Sequence, residues 1–227
     1  MKRSQINALI DEARAMLDQH CFLLPPFAYF TPDEWKTKNH EYDEIRRNCL
    51  GWDVTDFGSG DYNKVGLFLF TVRNGNVKVA GDEKVYAEKI MLVKENQVTP
   101  FHFHWYKQED IINRGGGNLL IQVYGATEND EFSSEDVEIQ VDGRHYTVPA
   151  GSIIRLTPGE SMTMVRRLYH SFWGEEGTGT VMVGEVSQCN DDANDNRFYE
   201  DCGRFPPIEE DEAPRYLLCT EYPAYEG

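Results

Sequence analysis

The chain lacks any long hydrophobic segment. No apolar run approaches the roughly 18 residues that a membrane-spanning helix requires, so we expect no segment that crosses a bilayer. Asp11, Glu12 and Arg14 interrupt the N-terminal segment, and this pattern predicts that it is not a signal peptide. The sequence also contains no internal repeat and no low-complexity segment.

Positive charge is scarce in this sequence. There are 22 Lys and Arg residues against 39 Asp and Glu residues, so the formal net charge at pH 7 is −17. Because binding to phosphate groups requires positive charge, this balance argues against nucleic acid or an anionic membrane as a partner. It favours solubility and a neutral or cationic ligand.

The pattern of a disulfide-stabilised protein is absent as well. The cysteines are odd in number, scattered along the chain, and never spaced as Cys-x-x-Cys: Cys21, Cys49, Cys189, Cys202 and Cys219. In a chain of 227 residues this predicts free thiols in a reducing compartment, and hence a cytoplasmic protein.

Hydrophobic residues with helical spacing are present near the N-terminus. They predict a first helix with Ser4 as its N-cap and one buried stripe, formed by Ile6, Leu9, Ile10, Ala13, Met16 and Leu17. A capping-box sequence from Thr31 to Glu34 predicts a second, short helix that carries Trp35. Residues 51–60 are rich in Gly and Asp and are predicted to form a loop.

From residue 65 onward the sequence predicts strands. The apolar run 65–72 precedes Asn74-Gly75, and Asp142-Gly143 separates two later runs; both dipeptides predict two-residue hairpins. The other predicted strands are 85–94, 98–105, 118–124, 137–141, 144–148, 152–156, 162–170 and 180–187. Many short strands separated by Gly and Pro turns predict an all-β sandwich or a closed barrel.

This pattern predicts one domain, 1–227, with a barrel over about 65–187. A helical decoration at 1–60 would precede the barrel, and a mostly irregular extension at 188–227 would follow it. Within the extension, the acidic run 209–212 is predicted to be a solvated turn.

One segment contains the residue types of a metal site. His102 and His104 are two residues apart on a predicted strand, so their side chains share one face. Glu109 has the opposite parity, so a turn or bulge must separate it from His104. With His170 from a distant strand, three imidazoles and one carboxylate suit Mn, Fe, Ni, Co or Zn, and provide too much nitrogen for Ca or Mg.

The alternative is a pair of histidines without a metal on an edge strand. The carboxylate and the third histidine disfavour that interpretation. The remaining histidines, at positions 20, 40 and 145, are assigned to the surface or to structural roles.

The spacing His-x-His-x4-Glu, followed by Gly115, Gly151, Pro158-Gly159 and His170, resembles the two signature motifs of the cupins over about 65–187. His170 stands farther from Pro158-Gly159 than that motif has it. Over its whole length the chain resembles the D-lyxose isomerases, a cupin sugar-isomerase family. The segments that carry this closer resemblance lie within 2–4, 24–27, 102–117, 184–187 and 190–198.

The resemblance implies a cupin β-barrel, also described as a double-stranded β-helix or jelly roll. It further implies a cytoplasmic homodimer with one divalent metal ion per subunit, Mn being the expected ion, and a monosaccharide substrate. The implied reaction interconverts D-lyxose and D-xylulose, and D-mannose and D-fructose, by proton transfer through a metal-bound enediolate.

The resemblance also implies roles for particular residues. The metal ligands would be His102, His104, Glu109 and His170. Glu185 stands on an apolar strand where an unpaired carboxylate is costly, and it would move the carbon-bound proton. Lys107 would bind substrate and stabilise the enediolate, unless it is an ordinary surface lysine. Glu109 is the alternative base if it binds the metal weakly.

Three further residues are expected to bind the sugar. Asp195 and Arg197 belong to a polar segment after the last predicted strand, and the alternative for both is an ordinary polar turn. Trp105 is a candidate for stacking on a sugar face, and its alternative is a place in the core.

Two other functions stay open from the sequence. A cupin oxygenase or oxidase would use the same four ligands with dioxygen, and a non-catalytic sugar-binding cupin would need no open metal position. The charged candidates Lys107, Glu185 and Arg197 favour a polyol over the first alternative, and the intact ligand set argues against the second.

Overall fold

The computed structural model describes residues 1–192 and 194–225, so residues 193, 226 and 227 of the predicted extension lie outside it. Its helical segments precede residue 48: α1 (Arg3–Gln19), α2 (Pro32–Lys36) and α3 (Asp43–Arg47), with 3-10 turns at Pro26–Tyr29 and His40–Tyr42. No helix within the described ranges is long and apolar enough to span a bilayer.

The strands follow the helices along the chain. They are β1 (Gly51–Thr55), β2 (Leu67–Asn74), β3 (Tyr86–Val93), β4 (Thr99–His104), β5 (Glu109–Gly116), β6 (Leu119–Gly125), β7 (Val137–Val141), β8 (Arg144–Val148), β9 (Ile153–Leu156), β10 (Ser161–Met164), β11 (Leu168–Gly174), β12 (Val181–Gln188) and β13 (Asn196–Phe198). They form an eight-stranded antiparallel sheet, β1-β2-β3-β12-β5-β10-β7-β8, and a five-stranded one, β13-β4-β11-β6-β9.

The two sheets face each other across an apolar core. Residues from both sheets form one buried cluster, which includes Leu69, Met91, Ile121, Ile139 and Phe172. Non-sequential strand neighbours in both sheets, such as β3-β12-β5 and β4-β11-β6, are the crossovers of a jelly roll. The predicted fold class, a cupin β-barrel with N-terminal helices, is thereby confirmed.

Helix α1 packs on the outer face of the larger sheet. Ile6, Ile10 and Ala13 are buried there against Trp52 and Phe70. Because the first half of β2 is covered on both faces, residues 67–70 are a continuous apolar run without alternation. The capping box of α2 is present as predicted, with Glu34 N–H donating to Thr31 Oγ1 at 3.2 Å.

One prediction about the chain ends was wrong, and another was incomplete. Ser4 does not cap α1, because the helix begins at Arg3 and the Ser4 N–H donates to Asp211 Oδ1 at 2.9 Å. The acidic run 209–212 is exposed throughout, as predicted, but it also contacts the start of the chain. Its Glu210 also accepts from Arg3 Nε at 2.9 Å, and Arg3 is only 1% exposed. The C-terminal extension is thus tied to the first turn of the chain.

The predicted loop at 51–60 begins with a strand. Strand β1 pairs with β2, although Gly and Asp are weak strand formers. Gly51 has a φ of +118°, and a Cβ at this position would collide with the Tyr222 hydroxyl. Tertiary contacts, which no local pattern reveals, decide this strand.

Two further differences concern strand boundaries. Strand β5 is absent from the predicted set because its sequence is charged and glycine-rich, and the predicted strand 162–170 is divided into β10 and β11 by a turn at Arg167 (φ 62°).

Asn74-Gly75 does not form a two-residue hairpin, since eleven residues, 75–85, connect β2 to β3. The hairpin at Asp142-Gly143 is confirmed, with φ values of 48° and 77° that match a type I′ turn.

The ion pairs of the buried Arg3 side chain generate a stability prediction. Replacing Arg3 by Ala leaves Glu221, whose side chain is 23% exposed, without its 3.1 Å partner. We expect the free energy of unfolding in urea to fall by about 2–4 kcal/mol, the usual range for breaking a largely buried charged hydrogen bond.

Lys36→Ala is the matched control, because Lys36 is 69% exposed and, among the described residues, pairs only with Asp33 in its own helix. It should change the unfolding free energy by less than about 1 kcal/mol. Equal effects of the two variants would show that the Arg3 contacts do not hold the extension.

Candidate active site

The four predicted metal ligands come together between the two sheets. His102 and His104 lie on β4, and His170 lies opposite His102 on the paired strand β11. The chain then crosses to the other sheet between β4 and β5, so Glu109 faces the histidines from the opposite wall. Because of this crossing, Glu109 can face the histidines although its position in the sequence has the opposite parity. The four ligand atoms all lie within 4.8 Å of one another.

The three imidazoles are oriented by backbone carbonyls. Each Nδ1 faces a carbonyl oxygen: His102 that of Pro100 at 2.8 Å, His104 that of Asp195 at 3.2 Å, and His170 that of Leu168 at 3.0 Å. Because a carbonyl only accepts, these contacts favour the tautomer with the proton on Nδ1, in which each Nε2 presents a lone pair to the centre. This is the tautomer that a metal-binding histidine needs.

The centre of this group has the character of a cation site. Glu109 Oε1 lies 3.2 Å from the Nε2 atoms of both His104 and His170. His170 Nε2 is buried and makes no hydrogen bond within the described residues. Oxygen and nitrogen acceptors that face one another at this distance are stabilised when a cation lies between them. The residues therefore fit a divalent ion, and the group can hold one.

Electrostatics favour the ligand forms of two of these residues. Burial, with the nearby His170 and His104, lowers the pKa of His102 well below its ordinary value, so this imidazole is neutral. Burial alone would raise the pKa of Glu109, but the charge on Lys107 and the contact with His104 outweigh it and hold that pKa well below its ordinary value. A neutral imidazole and an ionised carboxylate are what a metal ion requires.

Lys107 and Glu185 meet beside the metal group. Lys107 Nζ lies 2.7 Å from Glu109 Oε2 and donates to Glu185 Oε1 at 3.0 Å. Burial would lower the pKa of Lys107, but the two carboxylates outweigh it and raise that pKa, so the side chain is an ammonium. Lys107 is 3% exposed, so the structure excludes the alternative of an ordinary surface lysine.

Glu185 is paired as well as buried. On β12 it lies directly opposite Lys89 of β3, whose Nζ is 3.3 Å from Glu185 Oε1. Ser187 Oγ donates to the same oxygen at 3.0 Å. The expectation that this carboxylate is paired or functional is consistent with these contacts.

Sequence reasoning missed four residues at this site. Lys89 and Asn190 are joined by a 2.6 Å hydrogen bond, and Asp192 lies 3.1 Å from Arg204. Lys89 could have been found from the sequence, because, like Glu185, it is a charged residue within an apolar predicted strand. Asp192 lies in the segment 190–198 that carries the family resemblance, whereas Arg204 carried no signal, because it lies in irregular chain outside those segments.

The side chains form a cavity that reaches the metal group. Its described lining contains three of the four ligands, the charged residues beside them and an apolar wall: Phe57, Leu67, Leu69, Lys89, Met91, Thr99, His102, His104, Lys107, Glu109, Ile111, Phe172, Glu185, Asp192, Asn196, Phe198 and Arg204.

Three predicted sugar-binding residues do not line this cavity. Asn196 and Phe198 of β13 face it, so the intervening Arg197 points to the other side of the strand. Trp105 packs edge-on against Phe103, with ring centroids 4.7 Å apart, on that same outer side. Asp195 is buried, but its carboxylate accepts from the Tyr106 and Lys107 N–H groups at 2.8 and 2.9 Å. Asp195 therefore orders the turn that carries Lys107.

Comparisons with known proteins agree with this geometry. A family model described as D-lyxose isomerase matches residues 1–222. The chain is 49% identical to the D-lyxose/D-mannose isomerase of Serratia proteamaculans, and 48% identical to that of Escherichia coli O157:H7. Each alignment covers 98% of this chain and 98% of the relative.

The fold has solved counterparts at lower identity. L-ribose isomerase structures from Acinetobacter sp. DL28 and from Cellulomonas parahominis, both with L-ribose, each give a TM-score of 0.62 at 16% identity. Each match covers 92% of this chain and 98% of the solved chain. At this identity the likeness shows the fold alone.

The geometry of the ligand group predicts the effect of removing one ligand. His104→Ala should abolish retention of a divalent ion during dialysis, because the ion loses one of its four protein ligands and is held more weakly. In the loaded protein, ligand distances should be about 2.0–2.3 Å. Metal content after dialysis, measured by mass spectrometry, tests the prediction.

His145→Ala is the control, because His145 lies outside the ligand group and its side chain is 59% exposed. It should retain the ion as the unmodified chain does. Full metal content in His104→Ala would remove His104 from the ligand set.

Proposed function

The chain belongs to the D-lyxose isomerase family, and we propose that it interconverts D-lyxose and D-xylulose, with D-mannose and D-fructose as a second pair. The observation that carries the proposal is the adjacency of a buried four-ligand metal group, Lys107 and Glu185 at one cavity. The names of the two bacterial relatives support this choice of sugars.

Manganese(II) is the proposed resident ion, one per subunit. His102, His104, Glu109 and His170 would hold it, and when bound it supplies a Lewis acid and a template for two neighbouring sugar oxygens. Such ligands bind later transition metals more tightly than Mn, so availability would decide which ion is loaded.

Glu185 is the proposed base that takes the proton from C2 and returns it to C1. Its Oε1 receives hydrogen bonds from Lys107 and Ser187 and lies near Lys89. Among the described residues none hydrogen-bonds to Oε2, so this oxygen is the one available for the carbon-bound proton. A single carboxylate serves both steps because C1 and C2 are neighbouring atoms.

Lys107 is the proposed electrostatic partner of the reaction. Its ammonium is held between two carboxylates, and Asn190 Oδ1 accepts from it at 3.1 Å. A fixed positive charge at a buried position stabilises the negative charge that develops on the sugar oxygens, and its protons can serve the transfer between O1 and O2.

The substrates and the reaction class are tested together by incubating the Mn-loaded protein with D-lyxose and with D-mannose, under nitrogen and under air. We expect D-xylulose and D-fructose in both atmospheres without oxygen consumption. Oxygen uptake would support an oxidase instead, and binding without turnover would support a non-catalytic cupin. Comparison of the Mn-, Co- and Zn-loaded forms would test the proposed ion.

The role of Glu185 predicts a kinetic signature. Glu185→Gln should retain the metal and lower kcat by a factor on the order of 10² to 10⁴, the usual contribution of a positioned general base. The loss should appear in kcat more than in KM, since the interaction matters as the proton moves. In deuterium oxide, proton return by a carboxylate should also place solvent deuterium at C1 or C2 of the product.

Glu88→Gln is the matched control, because Glu88 lies on the neighbouring strand and pairs with Arg73 outside the cavity. It should have normal kcat. Product without deuterium, together with near-normal turnover by Glu185→Gln, would mean that the hydrogen moves as hydride and that Glu185 is not the base.

We also propose that the protein is a cytoplasmic homodimer. The described cysteines are all free thiols, which fits a reducing compartment. Dimerisation rests on the family alone, and sedimentation at micromolar concentration tests it; a single monomeric species would exclude it.

A further inference from the structure

A row of alternating charges leads from the metal group to strand β1. Successive members carry opposite charges and are in contact, at 2.7, 3.0, 3.3, 3.8, 3.1 and 2.5 Å, in the order Glu109, Lys107, Glu185, Lys89, Asp192, Arg204 and Asp53. The first five contacts join residues that line the cavity, and Asp53 lies outside it. The row therefore continues one residue beyond the site itself.

Arg204 reaches the cavity from chain without regular structure. Residues 199–217 contain no helix and no named strand, so local structure does not determine where this side chain lies. Its guanidinium is held by Asp53 and Asp192 and lies 4.6 Å above the Phe205 ring. The side chain is only 11% exposed. Its position in the cavity thus depends on these partners.

Of the two carboxylates that hold Arg204, Asp53 is the one on a regular strand. It lies on β1, where it pairs across the sheet with Leu69 of β2, a residue that lines the cavity. Asp53 is 6% exposed, and its carboxylate contacts Arg204 through both oxygens. A carboxylate fixed to a sheet and bidentate to an arginine can determine where that arginine lies.

We propose that Asp53 is a positioning residue for substrate binding, which holds Arg204 so that its guanidinium and Asp192 meet the sugar hydroxyls remote from C1 and C2. The inference rests on the proposed function. Glu185 serves the reacting carbons, and Arg204 lies three contacts farther along the row, beyond Lys89 and Asp192. The planar guanidinium has several donors in a fixed geometry, which suits neighbouring hydroxyls.

A second role for Asp53 would be merely to anchor the extension. An anchor would affect the melting temperature and the fraction of active enzyme, but would leave the affinity of the active enzyme for sugar unchanged. Loss of contacts made equally in the ground state and the transition state raises KM with little change in kcat. A raised KM with little change in kcat therefore indicates the positioning role, and an unchanged KM indicates the anchoring role.

The test uses the full chain loaded with Mn, as Asp53→Asn, Asp53→Glu and the control Asp56→Asn. Asp56 is similarly buried, at 4% exposed, and its carboxylate accepts from the Gly58 N–H of its own turn at 3.0 Å. Asp53→Asn should raise KM for D-lyxose on the order of tenfold, with kcat changed less than about threefold. Asp53→Glu should recover part of the loss, and Asp56→Asn should leave KM unchanged.

Binding is measured separately with the pentitol formed by reducing D-lyxose, which cannot react. Its Kd, from calorimetry, should rise in Asp53→Asn by a factor similar to that in KM, with metal content unchanged. If the unmodified protein binds the pentitol but does not isomerise either sugar, the proposed function fails, and the Kd values still decide the role of Asp53. Unchanged KM and Kd in Asp53→Asn, or a defect confined to melting temperature, would overturn the proposal.

Discussion

The site depends on the pairing of charges that the barrel buries. A charge transferred from water into a protein interior is costly unless an opposite charge and hydrogen bonds accompany it. In the row from Glu109 to Asp53, three cations lie among four carboxylates, so the row carries one net negative charge. A divalent ion would reverse that sign, and the cavity would then suit the negative charge that develops on a sugar during isomerisation.

The pairing also explains why distant parts of the chain must meet. Strands β3, β5 and β12 supply Lys89, Glu109 and Glu185 from one sheet, while β4 and β11 supply the histidines from the other. The irregular extension supplies Arg204. That extension is held by Asp53 within the barrel and by Arg3 at the first helix, so both chain ends contribute to one structure.

Sequence patterns predicted the parts of the site that rest on short spacings. The pair His102 and His104 was recognisable because alternation on a strand places both on one face. The parity of Glu109 indicated a turn, but not that the turn crosses to the opposite sheet. Arg197 was expected at the sugar because it lies in a polar segment, and Trp105 because an aromatic ring can stack on a sugar, yet neither lines the cavity.

By itself, the sequence determined the fold class, the candidate ligands, and the Glu185 carboxylate and Lys107 ammonium beside them. Short segments suffice for these predictions, because they show the local periodicity and the chemistry of each residue. Tertiary structure alone decided that β1 and β5 are strands, since their pairing partners compensate for weak propensity. It alone placed Lys89, Asp192, Arg204 and Asp53 in one row. Those contacts join residues far apart in the chain, and only the packing of the two sheets and the extension brings their charges within reach of one another.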